Sequence, residues 1–346
     1  MLKTVVTSVA VEQIARNNIC PALDAPYYNE FEFDKLWGTP MRPGEYAVRE
    51  DGIATGEWEQ AIEPDVVVWK GWFVKDAYTY WKHQRFMGDV GQKYNPKCNK
   101  AEKVIILWAG SDVHMMAMYW DHLGRYKAKV FRDLCTNRFV HVPVSEEQKE
   151  QLFNMFGIKA TSPLPSPVRT KFTPLPMPKD FTVAIYLPPY HEKMMQFRAG
   201  LLFALAKAMP KTKFIFYHWL FKSPDMLNVP IEPNIEYRYA CNREEYEQVI
   251  KDSVCLLRIP TTEGMSGGAA EFLMANRPVL SCHDMPKYPA ILKPNDLTVD
   301  AIKEVLSTIP YEVPEETRAH LTNLFDMDKF RGRLNARIAP KWGIEL

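Results

Sequence analysis

The chain has 346 residues, 47% of them hydrophobic and 25% charged; this is globular composition with room for two domains, and it excludes a disordered chain. The net charge of +1 gives no global pull towards nucleic acid or a membrane surface. Cys20, Cys98, Cys135, Cys241, Cys255 and Cys282 are scattered, without metal-ligand spacing or a dense disulfide framework, so reduced thiols in a cytoplasm and no bound metal are the simpler reading.

The N-terminus, MLKTVVTSVAVEQIA, is interrupted by Glu12 and lacks the long uncharged stretch of a signal peptide. No window approaches the ~18 apolar residues of a membrane span. The first fifty residues hold few periodic segments and predict no firm elements. Charge is uneven here. Asp24 to Asp65 carries eleven acidic and three basic residues, whereas Trp69 to Lys103 carries eight basic and three acidic ones among many aromatics. Basic residues interleaved with aromatics suit a polyanion or stacked bases, with Trp72, Lys75 and Trp81 as the candidate contacts. The simpler reading is an amphipathic helix with its aromatics in the core.

Asp65–Trp69 is a β-branched run, and Lys75 to about Met87 a helical candidate. Val104–Trp108 is a buried-type strand ending in the turn Ala109-Gly-Ser-Asp112, before a helix over Met115–Leu123. Lys129–Asp133 and Phe139–Val144 are possible strands. Ser145 followed by Gln148 predicts a capping box, and Gly157 ends that helix. Six prolines between 161 and 180 forbid helix and mark a linker.

The second unit starts with the strand Phe181–Leu187, then a helix from about Met194 to Met209. Strands follow at Lys213–Tyr217 and Asn234–Tyr239, a helix at Arg243–Asp252, and a strand at Val254–Ile259. The Gly267–Asn276 helix, the Arg277–Ser281 strand and the Asp300–Thr308 helix complete a Rossmann-like order. Pro340 breaks a helical tail. The expected organisation is an N-terminal Rossmann-like domain over 1–165 and a linker over 166–180. A second Rossmann-like domain over 181–325 and a helical tail over 326–346 that packs back on the first domain follow.

One segment carries chemistry. Leu257-Arg-Ile-Pro-Thr-Thr-Glu263-Gly-Met-Ser-Gly-Gly-Ala-Ala-Glu271 is a strand ending in a small-residue turn that opens a helix. Helix-start N–H groups suit phosphate, and the flanking carboxylates suit sugar hydroxyls. The segment reads as a nucleotide-sugar site. The competing reading is an ordinary crossover with two exposed acids.

Glu263-x7-Glu271, with Gly264, Gly267, Gly268, Ala275 and Pro278-Val279, resembles the donor motif of the GT-B glycosyltransferases of the retaining, glycogen-synthase-like family 4. Trp108-Ala-Gly-Ser-Asp112 is similar to that family's N-terminal small-residue turn. Val144-Ser145, a helix, Gly157-Ile158 and a Pro-Leu-Pro run resemble its segment before the linker. The resemblance implies an α/β fold of GT-B type, two Rossmann-like domains facing each other across a cleft. It implies a metal-independent transferase with no bound cofactor and a nucleotide-sugar co-substrate, a UDP-sugar ahead of a GDP-sugar. Glu271 would bind the ribose, Glu263 the transferred sugar, and the backbone around Ser266, Gly267 and Gly268 the diphosphate. The family's basic pair after the first strand of the second domain is absent, leaving Lys193, Arg198 and His191 as candidate cations, with Arg258 beside Glu263.

Retaining chemistry would leave Asp112 to orient hydroxyls. An inverting enzyme would need a base, from Asp112, Asp24, Glu30 or Asp34. As a lone Asp before a helix, Asp112 also reads as a helix cap. His114, His218 and His283 near strand ends read as packing or surface residues rather than ligands. The acceptor is a polysaccharide, a lipid-linked sugar, a protein or, as in phage-type DNA glycosyltransferases, a hydroxymethylated pyrimidine in DNA. The alternatives are a GT-B-like sugar-nucleotide epimerase and a non-catalytic nucleotide-sugar-binding protein.

Overall fold

The structure is a computed structural model that describes residues 4–7, 18–25, 65–70, 103–110, 112–118, 134–168, 172–188, 191–218, 229–263, 265–293, 297–310 and 312–346. The chain divides into two compact units, Met1–Arg169 with Met327–Leu346, and Thr170–Asp326.

In the first unit four parallel strands run in sequential order: β1 (Thr4–Thr7), β2 (Val66–Lys70), β3 (Lys103–Leu107) and β4 (Phe139–Val142). Strand β1 has no counterpart in the sequence reading. It is a four-residue β-branched run that gains its partner, β2, from sixty residues away. Alternation in β2, β3 and β4 puts Val66, Val68, Ile105, Leu107, Val140 and Val142 on one buried face. The last helix, α10 (Met327–Trp342), covers that face with Phe330, Leu334 and Ile338, four residues apart. The short α1 (Cys20–Leu23) contributes Leu23 to the same core.

Pro340 does not break α10, contrary to the expectation from sequence. Its missing N–H falls in the last turn, where one lost bond is tolerable. The helix end is instead pinned to the start of β4, because Lys341 Nζ donates to the Phe139 carbonyl and Trp342 Nε1 to that of Asn137. Helices α2 (Asp112–Met118) and α3 (Glu146–Phe156) follow β3 and β4. Ser145 Oγ accepts from the Gln148 N–H as a cap should, at 3.2 Å. The return half of the capping box is displaced by one residue: Gln148 Oε1 accepts from Val144 N–H at 2.9 Å. Gly157 closes α3 at φ 64°, a left-handed value that glycine adopts without steric penalty.

The second unit has five parallel strands: β5 (Thr182–Tyr186), β6 (Lys213–Tyr217), β7 (Ile235–Arg238), β8 (Cys255–Arg258) and β9 (Val279–Ser281), in spatial order β7-β6-β5-β8-β9. Helices are α4 (His191–Gln196), α5 (Ala199–Ala208), α6 (Arg243–Asp252), α7 (Gly267–Met274), α8 (Val299–Ser307) and α9 (Glu315–Leu324). Val183, Ile185, Phe214, Phe216, Cys255 and Leu257 face a core closed by Leu202 and Leu205 of α5 and Ile302 and Leu306 of α8. The opposite face carries α6 and α7, with α9 against α7. Sequence reading gave one helix from Met194 to Met209. The chain instead breaks at Arg198, whose φ of 54° is left-handed, so α4 and α5 are separate rods.

Strand order decides where a ligand can bind. The chain leaves β5 towards β6 and leaves β8 towards β9, in opposite directions, while β5 and β8 are hydrogen-bonded neighbours. Their carboxyl ends therefore form a topological switch point, the crevice that ligands of open α/β sheets occupy.

Candidate donor site at the β5–β8 switch point

Strand β8 delivers Arg258 to this point, and the turn that follows brings back Glu263. Arg258 Nε donates to Glu263 Oε2 at 2.5 Å, with the two side chains only 14% and 11% exposed. The guanidinium also lies 4.9 Å from the Phe197 ring centroid and 5.8 Å from that of Tyr186, within cation–π range of both. Burial alone would lower the Arg258 pKa. The charge and hydrogen bond of Glu263 reverse that and hold it above the ordinary value.

The turn itself is braced from α4, α5 and β9. Thr261 N–H donates to the Gln196 carbonyl at 2.8 Å, and Gln196 Nε2 to Thr262 Oγ1 at 2.8 Å. Arg198 Nη1 donates to the carbonyls of Ile259 and Pro260, at 2.8 and 3.1 Å. His283 Nε2 lies 2.9 Å from the same Pro260 oxygen. The Cys282 side chain, against the opposing effect of burial, pushes the His283 pKa up to about 9, with Pro260 and Glu263 adding to the rise. A protonated imidazole thus sits beside the turn at neutral pH, which its position after a strand did not reveal.

Helix α7 opens from this turn. Ser266 is its N-cap, and Ser266 Oγ accepts from Ala269 N–H at 3.2 Å. The N–H groups of Gly267 and Gly268 precede the capped ones, and a helix has no carbonyl of its own for them. They carry the positive end of the helix dipole, which suits an anion. Gly268 is there for space: a Cβ on it would lie 3.3 Å from Tyr246 Oη.

Glu271, one turn further along α7, is 6% exposed. It is no solvated acid. Oε1 accepts from Arg243 Nη1 at 2.8 Å, and the Tyr246 hydroxyl bonds the same carboxylate. Burial raises the Glu271 pKa, while Arg243 and then the Tyr246 bond restrain the rise. Arg243, the first residue of α6, also gives Nε to Glu247 Oε1 at 2.9 Å. The rings of Phe172 and Tyr246 each lie 5.4 Å from its guanidinium carbon. We expect Gly268→Ala to leave the melting temperature within ~2 °C, because helix propensity offsets the crowding. The displaced Tyr246 hydroxyl no longer supports Glu271, so nucleoside-diphosphate affinity falls about tenfold by titration calorimetry. Unchanged affinity would remove Tyr246 from the site.

The other sequence candidates fall elsewhere. Lys193 and His191 lie on α4, after β5. Arg198 does not offer a free cation as expected, because Nη1 is engaged by two carbonyls of the turn, and it acts as a brace. Asp112 is also engaged within the protein. It is 0% exposed, and its carboxylate accepts from Ala109 N–H, Val113 N–H and Gln148 Nε2 at 2.6, 2.9 and 2.9 Å. A carboxylate so buried and so saturated with donors ties a loop to α3 rather than orienting a ligand hydroxyl. Asp24 ends α1 as an exposed left-handed residue, and His218 is buried after β6. Gly264, Glu30, Asp34, Trp72, Lys75, Trp81 and the helical candidate around them lie outside the described residues, as does Lys129–Asp133. Among the described residues no group of three His, Cys, Asp or Glu could hold a metal ion, and no helix is long and apolar enough to cross a membrane.

No protein-family model matches the chain, and neither does any curated protein. Solved structures do. The chain superposes on Anabaena HepE in complex with UDP-glucose with a TM-score of 0.63 at 11% identity, covering 97% of this chain and 99% of that one. Sucrose-phosphate synthase from Thermosynechococcus elongatus gives 0.62 at 9% identity, covering 98% and 99%. TarM of S. aureus, in a complex that includes UDP, gives 0.54 at 12% identity over 81% of this chain. The chain spans 57% of that TarM structure. The fold is GT-B, matched over nearly the whole chain.

Proposed function

We propose that the chain is a glycosyltransferase that moves a sugar from a nucleotide-sugar donor, a UDP-sugar first, to an acceptor hydroxyl, with retention of configuration. One observation carries the reading: at the switch point of the second sheet, Glu263 and Glu271 bracket the N-terminus of α7. That arrangement offers what a nucleotide sugar needs in one place, N–H donors for a diphosphate and carboxylates for hydroxyls. HepE, a protein of the same fold, holds UDP-glucose, which supports the choice of donor.

In this reading the Gly267 and Gly268 amides bind the diphosphate. Glu271 accepts from the ribose diol. Glu263, held in place by Arg258, accepts from hydroxyls of the transferred sugar and favours the positive charge that develops at its anomeric carbon. His283 and Arg258 add positive charge near the turn, where the family's basic pair is missing, and so favour departure of the diphosphate. In retaining transfer the leaving phosphate oxygen takes the acceptor proton, so the chain needs no general base there.

The test is a thermal-shift panel of UDP-, GDP-, ADP- and CDP-sugars, followed by release of nucleoside diphosphate from the donor that binds. A ligand of the folded state alone raises the melting temperature. We expect a UDP-sugar to do so. Glu271→Ala should weaken its binding by about 1.5–3 kcal/mol, the range for a charge-assisted bond. Glu263→Gln should lower turnover more than affinity. No shift with any donor, or full activity in both variants, defeats the reading. Hydroxymethylated DNA and oligosaccharide primers, offered in parallel, separate the acceptor classes. DNA binding would show a steep salt dependence.

A further inference from the structure

The Arg243 side chain holds one group that its neighbours leave unused. Nε is satisfied by Glu247 and Nη1 by Glu271, and the guanidinium carbon lies 5.4 Å from the ring centroids of both Phe172 and Tyr246. Nη2 is buried and has no hydrogen-bond partner. A buried donor left unmade is expensive, and each such group in a native structure calls for an explanation, such as a bound water or ion or a functional role. We propose that Arg243 is a donor-specificity residue whose second amino group donates to an oxygen of the nucleotide's ribose while its first holds Glu271 in place.

Chemistry selects the ribose over the diphosphate. Arg243 with Glu247 and Glu271 carries one positive and two negative charges, so the cluster repels a phosphate. It does suit a neutral hydroxyl. A hydroxyl both accepts and donates, so it can accept a hydrogen bond from Nη2 and donate one to Glu271. A base carbonyl can accept from Nη2 but has no proton for the carboxylate. A vicinal diol places two hydroxyls side by side and meets both groups. The bonds of Nε to Glu247 and of Nη1 to Glu271 hold the planar guanidinium in place, which sets the direction of Nη2. This inference rests on the reading of the turn before α7 as a nucleotide-sugar site, and adds to it a residue on a different helix, 28 positions away from Glu271 in the chain.

The experiment is titration calorimetry of the full chain with UDP, 2′-deoxy-UDP and 3′-deoxy-UDP, on the wild type and on Arg243→Lys. Lysine keeps a cation beside Glu271 but has no second branch. In the wild type, removing the bridging hydroxyl should weaken binding by about thirtyfold. In Arg243→Lys that discrimination should shrink to about threefold, because UDP binds more weakly while the deoxy analogue binds as before. A purely structural Arg243 would weaken all three ligands equally and leave the ratio unchanged, and that result overturns the inference while UDP binding upholds the site. Equal wild-type affinity for all three ligands overturns it without need of the variant, should the lysine protein fail to fold. Absence of any UDP binding removes the site and the inference together.

Discussion

Arg258→Met is expected to destabilise the second unit by about 3–5 kcal/mol and to abolish sugar transfer, the largest single-residue effect at the site. The argument starts from exposure. Glu263 is 11% exposed and Arg258 14%, so each charge depends on the other rather than on water. Their attraction does not by itself add much net stability, because both were desolvated to meet. Deleting one partner is different, since it leaves a buried carboxylate without its guanidinium. His283 offers a second positive charge near Glu263, but it already lies against Pro260. Methionine fills the volume between Tyr186 and Phe197, which keeps the loss of packing small and isolates the charge. The double variant Arg258→Met with Glu263→Gln should recover about half of the lost stability while remaining inactive, a coupling that a cycle of denaturant titrations reads directly. A loss under about 1 kcal/mol in Arg258→Met would show that water screens the pair.

The site and the fold were legible to different depths, for physical reasons. Buried parallel strands are continuous apolar runs, so Val104–Leu107, Thr182–Tyr186, Lys213–Tyr217 and Cys255–Arg258 stand out in the sequence, as does the small-residue turn after the last of them. Spacing along one chain segment also placed Glu263 and Glu271 on either side of a helix start. What spacing cannot report is a partner distant in sequence. Arg243 meets Glu271 only because β8 and α7 fold back beside α6, and nothing local to residue 243 says so. The surroundings of Asp112 were illegible for the same reason. Its buried state depends on Gln148, 36 residues later, and a short Gly-Ser-Asp turn looks alike whether its carboxylate faces a ligand or the core. Strand β1 and helix α9 were missed because each draws its stability from a neighbour, β2 and α7, rather than from a strong pattern of its own. The opposite error, breaking α10 at Pro340, gave local propensity more weight than the docking of Lys341 and Trp342.

Acid should loosen the first unit before it reaches most carboxylates. His141 on β4 is 3% exposed, and both its ring nitrogens are used: Trp108 Nε1 lies 3.3 Å from Nδ1, and Nε2 lies 2.8 Å from the Leu134 carbonyl. The indole can only donate, so Nδ1 must accept and Nε2 must carry the proton. That neutral tautomer is the one the fold requires. Burial, with the Lys341 charge adding to it against the Leu134 bond, lowers the pKa from the ordinary 6.5 to about 4. The unfolded chain therefore binds a proton at a pH where the folded one does not. Stability from this group is complete above about pH 6.5 and is lost as the pH falls towards 4. The lowering corresponds to about 3 kcal/mol. We expect hydrogen exchange of β3 and β4 peptides, followed across a denaturant series at several pH values, to show that loss. His141→Gln keeps a donor and an acceptor but cannot titrate. It should be about 1–2 kcal/mol less stable than the wild type at pH 7.5. Near pH 4 the difference should vanish or reverse, because the wild type has by then given up what the imidazole supplied. Parallel pH profiles for the two proteins would show that the imidazole is not held neutral, and the Trp108–His141–Leu134 chain would then carry no acid sensitivity.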